Sequence, residues 1–205
     1  MAITIGICGG SASGKSTFAA LLKKSLSPSS CVILALDNYY VDFTGKKSTV
    51  GDVNYDRPES FEIDLLRDHL ESLKRGSSVH SPLYDFKTHK RRKQFRKIVR
   101  ANYILVEGLF LFNLSRISEL IDVKIFIHTP SMIRLQRRIA RDRKDRGRSL
   151  NSIMDQFKNQ VQPMHSKYVQ PNRRLADIII NGTRPFSEQL PQVLELLPDK
   201  PPVKK

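Results

Sequence analysis

Gly9-Gly10-Ser11-Ala12-Ser13-Gly14-Lys15-Ser16 is the stretch that decides how the rest of the chain reads. It follows the apolar, β-branched run Ile3-Thr4-Ile5-Gly6-Ile7-Cys8, and Thr17 behind it opens a helical pattern. Strand, G-x-x-x-x-G-K-[ST] and helix in that order make a P-loop. A polyphosphate needs many donors at close range, and small residues let successive backbone N–H groups wrap it. The helix behind the loop aims its positive end at the same anion. Lys15 is then expected at the β- and γ-phosphates, and the Ser16 hydroxyl on a Mg²⁺ ion. A chance match in a chain this long is on the order of one in a hundred. The motif implies binding of a nucleoside triphosphate.

Outward from the loop, strand and helix alternate. Short Ile/Val/Leu-rich runs at 4–8, 32–36, 103–106, 123–127 and 177–180 read as parallel strands buried on both faces. Helical patterns fall at 17–26, 64–74, 131–143, 150–161 and 187–197, with Gly76 placed to end the second. The expectation is an α/β fold: a doubly wound, five-stranded parallel sheet with helices on both faces and ligands at the carboxyl ends of the strands. Its 205 residues suit one domain over 1–197, and PDKPPVKK at 198–205 reads as a disordered tail. One stretch breaks the alternation. SPLYDFKTHKRRKQFRKIV, from Ser81, interleaves aromatic and basic residues and is expected as a β-hairpin excursion over 79–99.

Composition narrows the class. At 40% hydrophobic and 27% charged the chain is ordinary globular material. The longest apolar run, 103–112, is broken by Glu107 and Gly108, so no membrane span is expected, and no basic-then-apolar leader is evident. Two cysteines offer neither a disulfide framework nor metal spacing, which suits a reducing, cytoplasmic setting. Lys and Arg number 35 against 20 Asp and Glu, a net charge of +15 with a pI near 10.0. Such a field attracts any polyanion, whether nucleotide, nucleic acid or acidic lipid.

Three further places carry chemistry. Asp37, in Leu36-Asp37-Asn38-Tyr39-Tyr40, stands at the end of the second strand beside the P-loop, where an acid meets Mg²⁺ or an acceptor hydroxyl; the same residue also suits capping a turn. Glu107 ends the run YILVE at the position where an acid orients Mg²⁺. Arg134, Arg137, Arg138 and Arg141 share one helical face. Like charges at that spacing repel, so the stripe reads as a lid over about 134–148 that closes on a triphosphate, with Gly147 as a hinge. A basic surface helix touching RNA is the other reading of the same pattern.

With these residues in view, a resemblance emerges. GGSASGKS, LDNYY, VNYDRPESF, PLYDFKTHKR, ILVEG, TPSMIRLQRRIARD, RGRSL and QVQPMHSKYVQPNRRLADIII together resemble the uridine kinase (uridine–cytidine kinase) family, in order from about residue 3 to 180. The pair PxYDFxxHxR and RGRSL is far more specific than the P-loop alone.

The resemblance implies phosphorylation of the 5′-hydroxyl of uridine and cytidine by ATP or GTP with Mg²⁺. It implies Asp37 as the catalytic acid, assisted by Lys15 and Arg137, and Tyr40 as its active-site neighbour. Asp56 matches the carboxylate on the ribose diol, with Arg134 as its partner; Tyr84, Phe86 and His89 match the residues around the base. Arg137 and Arg141 fall to the donor, and Ser16, Asp37 and Glu107 to the metal. A homotetramer inhibited by CTP and UTP, with no specific nucleic-acid partner, completes what the family implies. The alternatives are a P-loop kinase for another small hydroxylated substrate and a nucleic-acid-binding regulator that kept the fold. Two departures stand out: Asn38 where serine is expected, and an unusually basic hairpin from His89 to Lys97.

Overall fold

β1 (Ile3–Gly9) is buried along its whole length, because parallel neighbours flank it and helices cover both faces. The computed structural model describes residues 2–27, 30–41, 54–86 and 88–198. β1 pairs in parallel with β5 (Tyr103–Gly108) on one side and β6 (Val123–His128) on the other. β2 (Cys31–Ala35) extends the first side and β7 (Ile178–Asn181) the second, giving the order β2-β5-β1-β6-β7. The five expected strands are therefore all present, each within two residues of its expected ends.

Two apolar layers sandwich the sheet. On one face α1 (Lys15–Ser25) and α7 (Phe186–Glu195) bring Phe18, Leu22 and Val193 against Ile5, Ile7 and Leu105. On the other, α2 (Ile63–Lys74) and the single turn α3 (Ser115–Ser118) bring Leu66, Leu70, Leu73 and Ile117 against Ile104, Val106 and Phe126. Gly76 follows α2 as expected, with its N–H on Leu73 O at 3.0 Å.

β3 (Val79–Asp85) and β4 (Lys90–Ile98) form the separate antiparallel hairpin, irregular between Pro82 and Tyr84. Its tip turns through His89 at φ 54°, a left-handed conformation that His adopts more readily than most residues. α4 runs Ser131–Arg146, one turn beyond the expected 131–143. The helix expected over 150–161 divides: α5 (Leu150–Gln156) passes into a π-helical turn at Phe157–Val161. The helical path then continues through α6 (Gln162–Met164) and a second π turn, His165–Val169. That continuation was not legible in the sequence, since Pro163 and the polar residues around it interrupt the apolar period. Residues 199–205 of the expected tail lie outside the described residues. Among the described residues no helix is long and apolar enough to cross a membrane.

Candidate active site

The P-loop emerges from the carboxyl end of the central strand. Gly14 enters α1 at φ 103°, and a Cβ there would stand 2.9 Å from the Phe186 ring, so conformation and space both require glycine. Ser13 N–H donates to Gly10 O at 3.0 Å, closing the turn. Ser13 O accepts from Thr129 Oγ1 at 3.0 Å and from Arg137 Nη1 at 3.4 Å, while Arg137 Nη2 donates to Gly182 O at 2.8 Å. The loop is thus braced from β6, α4 and the turn after β7.

A cavity of about 540 Å³ opens in front of it. Ser11, Ala12, Gly14, Lys15, Ser16 and Thr17 form one wall, whereas Gly9, Gly10 and Ser13 shape the turn from behind. Lys15 Nζ donates to Gly10 O at 3.1 Å, and Ser16 Oγ donates to Glu107 Oε1 at 2.7 Å. Asp37 and Glu107, at the ends of adjacent strands β2 and β5, face the cavity. Burial pushes the Glu107 carboxyl up, Lys15 opposes that, and Asp37 adds to it. A hydroxyl and two carboxylates, one of them desolvated, are hard oxygen donors that suit Mg²⁺. Among the described residues no cluster of three His, Cys, Asp or Glu could hold an ion alone, so an ion here would need phosphate or water oxygens as further ligands.

Opposite the P-loop stands an aromatic enclosure. Tyr40 stacks on Phe61 at 4.2 Å and lies 4.9 Å from Tyr84 and 5.5 Å from Tyr55. Its hydroxyl donates to Tyr55 O at 3.1 Å, and burial holds its pKa well above the ordinary value. His89 tilts over Tyr55 at 5.0 Å; burial, then Arg146 and Arg148, lower its pKa and keep the imidazole neutral at pH 7. Asn38 Oδ1 accepts from Tyr84 N–H at 3.4 Å, tying the Asp37 turn to the hairpin. Asp56 lines the cavity between these groups. Burial raises its pKa most, and the arginine that opposes this most strongly is Arg138, ahead of Lys15 and Arg134.

The arginine stripe does not act as one face. Arg137, Arg138 and Arg141 line the cavity, but Arg134 does not. Arg134 is 1% exposed, with Nε on Thr129 O at 3.2 Å, Nη2 on Gln162 Oε1 at 3.3 Å and its guanidinium 5.7 Å from the Phe157 ring. It sits behind the P-loop, against Gly10, and its charge still acts on Asp56, as that of Arg138, one turn further along α4, does more strongly. Arg138 Nη1 donates to Ser11 Oγ at 2.8 Å and Nη2 to Gln156 Oε1 at 2.7 Å. Arg146 and Arg148, within the lid expected over 134–148, also stand on the cavity wall, as do Tyr55, Gln156 and Phe186, which the sequence pattern does not single out. Arg146 lies 4.3 Å over the Phe86 ring, so the end of α4 touches the hairpin. The RGRSL motif was the available signal for the two arginines; Gln156 and Phe186 had none.

A P-loop on the central strand of this sheet, with acids at the neighbouring strand ends and arginines over the cavity, defines a P-loop kinase. Residues 4–186 match the Phosphoribulokinase / Uridine kinase family, and the chain belongs to it. A protein named uridine kinase from Clostridium novyi (strain NT) is 39% identical over 183 residues, covering 87% of this chain and 86% of its own length. Another from Leuconostoc citreum (strain KM20) is 41% identical over 181 residues, with shares of 87% and 86%. Uridine-cytidine kinase-like 1 of Mus musculus is 40% identical over 182 residues, which are 87% of this chain and 33% of that protein. Among solved structures, a possible uridine kinase from Bacillus stearothermophilus superposes with a TM-score of 0.63 at 19% identity, covering 87% of this chain and 88% of that one. Phosphoribulokinase from Rhodobacter spheroides gives 0.65 at 16% identity, covering 90% and 74%. At those identities the two structures speak to the fold alone.

Proposed function

We propose that this chain transfers the γ-phosphoryl group of ATP or GTP to the 5′-hydroxyl of uridine and cytidine, giving UMP and CMP. The observation that carries the reading is one continuous cavity, with a P-loop at one end and Asp56 with an aromatic enclosure at the other. The relatives named uridine kinase favour it over a kinase for another small alcohol and over a nucleic-acid-binding regulator.

Lys15 and the P-loop amides hold the donor phosphates, joined by Arg137 and Arg141 from the lid. Asp37 orients the 5′-hydroxyl, whose oxygen bonds to the γ-phosphorus as the bond to the β,γ-bridging oxygen breaks. The hydroxyl proton leaves late to Asp37 and then to solvent, so the acid needs little basicity. Asp56 accepts the ribose 2′- and 3′-hydroxyls beside Arg138. A deoxyribose leaves that buried acceptor unpaired, which favours ribonucleosides. Tyr84 and Phe86 pack the base, and the neutral His89 ring offers a donor or an acceptor according to its tautomer, matching cytidine or uridine. Ser16, Asp37 and Glu107 would hold Mg²⁺, which would supply charge neutralisation for the transferring phosphates. CTP and UTP, which join a pyrimidine nucleoside to a triphosphate, fit the same cavity as feedback inhibitors. A cytoplasmic homotetramer built from one kinase domain over 1–197 belongs to the same reading. Transfer of labelled phosphate from ATP to uridine and cytidine, but not to 2′-deoxyuridine or adenosine, is the expected result. Equal label on adenosine, or on no nucleoside, refutes it.

A further inference from the structure

The kinase reading leaves unexplained a carboxylate that touches no part of the cavity. Asp142 lies on α4 with none of its surface exposed, yet four guanidinium groups converge on it. Arg141 Nε stands 2.9 Å from its Oδ1, Arg138 Nε 3.4 Å from Oδ2, Arg146 Nε 3.5 Å from Oδ1 and Arg148 Nη1 3.6 Å from Oδ2. We propose that Asp142 is the positioning residue of this active site, fixing through its buried carboxylate where the four cavity-lining arginines stand.

Geometry and charge both lead there. Arg138, Arg141 and Arg146 lie on the same side of α4 as Asp142, whereas Arg148 comes from beyond Gly147, where helix periodicity cannot place it. Asp142 supplies the common point. Its backbone carbonyl also accepts from the N–H groups of Gly147 and Arg148, so the same residue ends α4 and folds the chain back to deliver Arg148. From that anchor Arg138 reaches Ser11 Oγ and Gln156, Arg148 the same Gln156 and Ser152, and Arg146 the Phe86 ring. A buried ion pair built for stability needs one partner, and an apolar replacement often serves as well. Four cations on one carboxylate leave excess positive charge facing the cavity, held rigid before any phosphate arrives. Preorganised charge of this kind stabilises a transition state without reorganisation during the reaction.

The inference rests on the kinase reading, and its test separates the two. Asp142→Asn keeps the shape and removes the charge. ADP should bind the variant as tightly as wild type or tighter, at one site per chain by calorimetry, because the cluster becomes more positive. In contrast, kcat per ADP-binding site should fall about 100-fold, since a misplacement near 1 Å in such a constellation costs that much. Asp142→Glu, which keeps the charge, should return ADP affinity to the wild-type value and recover part of kcat. A merely structural role predicts fewer binding sites with affinity and kcat per site unchanged, and that result overturns the proposal. So does a kcat per site within about threefold of wild type, or ADP binding weakened as much as kcat. Should Asp142→Asn fail to fold, Asp142→Glu decides alone: kcat per site at least tenfold down with ADP affinity retained supports the proposal, and wild-type kcat overturns it. If wild type phosphorylates no nucleoside, the functional reading fails, and the ADP affinities of the variants still judge the role of Asp142.

Discussion

One methyl group at residue 182 should loosen the P-loop from behind. A Cβ built on Gly182 would lie 2.0 Å from Thr129 Oγ1, 2.7 Å from Ser13 O and 3.2 Å from His128 O. Two of these obstacles are backbone, so in Gly182→Ala the movable one, the Thr129 hydroxyl, must swing away. That breaks its 3.0 Å bond to Ser13 O and disturbs the carbonyl of residue 182, which accepts from Arg137 at 2.8 Å. Overpacking costs about 1–3 kcal/mol. The lost hydrogen bond adds about 1 kcal/mol. At about 2–4 °C per kcal/mol for a chain of this size, a total of about 2–4 kcal/mol lowers Tm by about 5–15 °C. Because Ser13 belongs to the loop, kcat/KM for ATP should fall at least about tenfold while the nucleoside KM moves less. Thermal melts and initial rates on Gly182→Ala, Thr129→Ala and the double variant form the assay. Removing Oγ1 relieves the 2.0 Å contact and leaves the one with Ser13 O, so the double variant should be more stable than the sum of the single losses by about 1 kcal/mol or more. A Gly182→Ala protein that melts within 2 °C of wild type (about 1 kcal/mol or less), or strict additivity in the cycle, refutes the reasoning.

Lys15→Ala should keep the fold and lose at least about 10²-fold in kcat/KM, as removal of preorganised charge from a closed site typically does; near-wild-type turnover defeats the assignment. Arg138→Met should lower kcat/KM for uridine at least about tenfold with little change in Tm, whereas Arg134→Met, behind the P-loop, should show mainly in Tm; the reverse pattern restores Arg134 to the ribose. His165 has its pKa lowered to about 4 by burial first, then by Arg134, His128 and Lys15. The unfolded chain therefore takes this proton first, so the contribution is complete above pH ~6.5 and is lost as pH falls towards 4, by up to about 3 kcal/mol. Urea unfolding at pH 7 and 4.5 should show a smaller difference for His165→Gln than for wild type, and equal differences remove His165 from the linkage.

The sheet was legible because its signals are local. Each strand is a nearly continuous apolar run with turn residues at its ends, and the P-loop fixes which strand is central. Asp37, Glu107 and Lys15 were legible for the same reason, since each sits at a strand end whose place in the topology is set. Arg134 was not. The spacing of Arg134, Arg137, Arg138 and Arg141 gives a shared face but no depth along it. Depth is set by Thr129, Gln162 and Phe157, contributed from the end of β6 and from helical turns that the sequence pattern does not reveal. Gln156 and Phe186 escaped for a related reason: each is an ordinary helical residue until the tertiary fold turns it towards the P-loop.

The two basic segments show why composition alone misleads here. β4 carries six Lys and Arg residues, and the stretch 134–148 carries eight against two Asp. On a charge plot they look alike, yet their fates are opposite. Most of the β4 cations are exposed; Arg91 pairs with Glu62 at 2.8 Å and Arg92 reaches Asp85 at 3.7 Å. Arg138 of α4 is buried and Arg141 and Arg146 are half-buried, which is costly for a charge unless it is paired. Asp142 is what makes the difference, one acid placed four residues after Arg138 and four before Arg146, within reach of both and of the residue beyond Gly147. The cavity wall itself carries Lys15 and five arginines against Asp37, Asp56 and Glu107, so most of the +15 net charge lies outside the site and still makes a surface field.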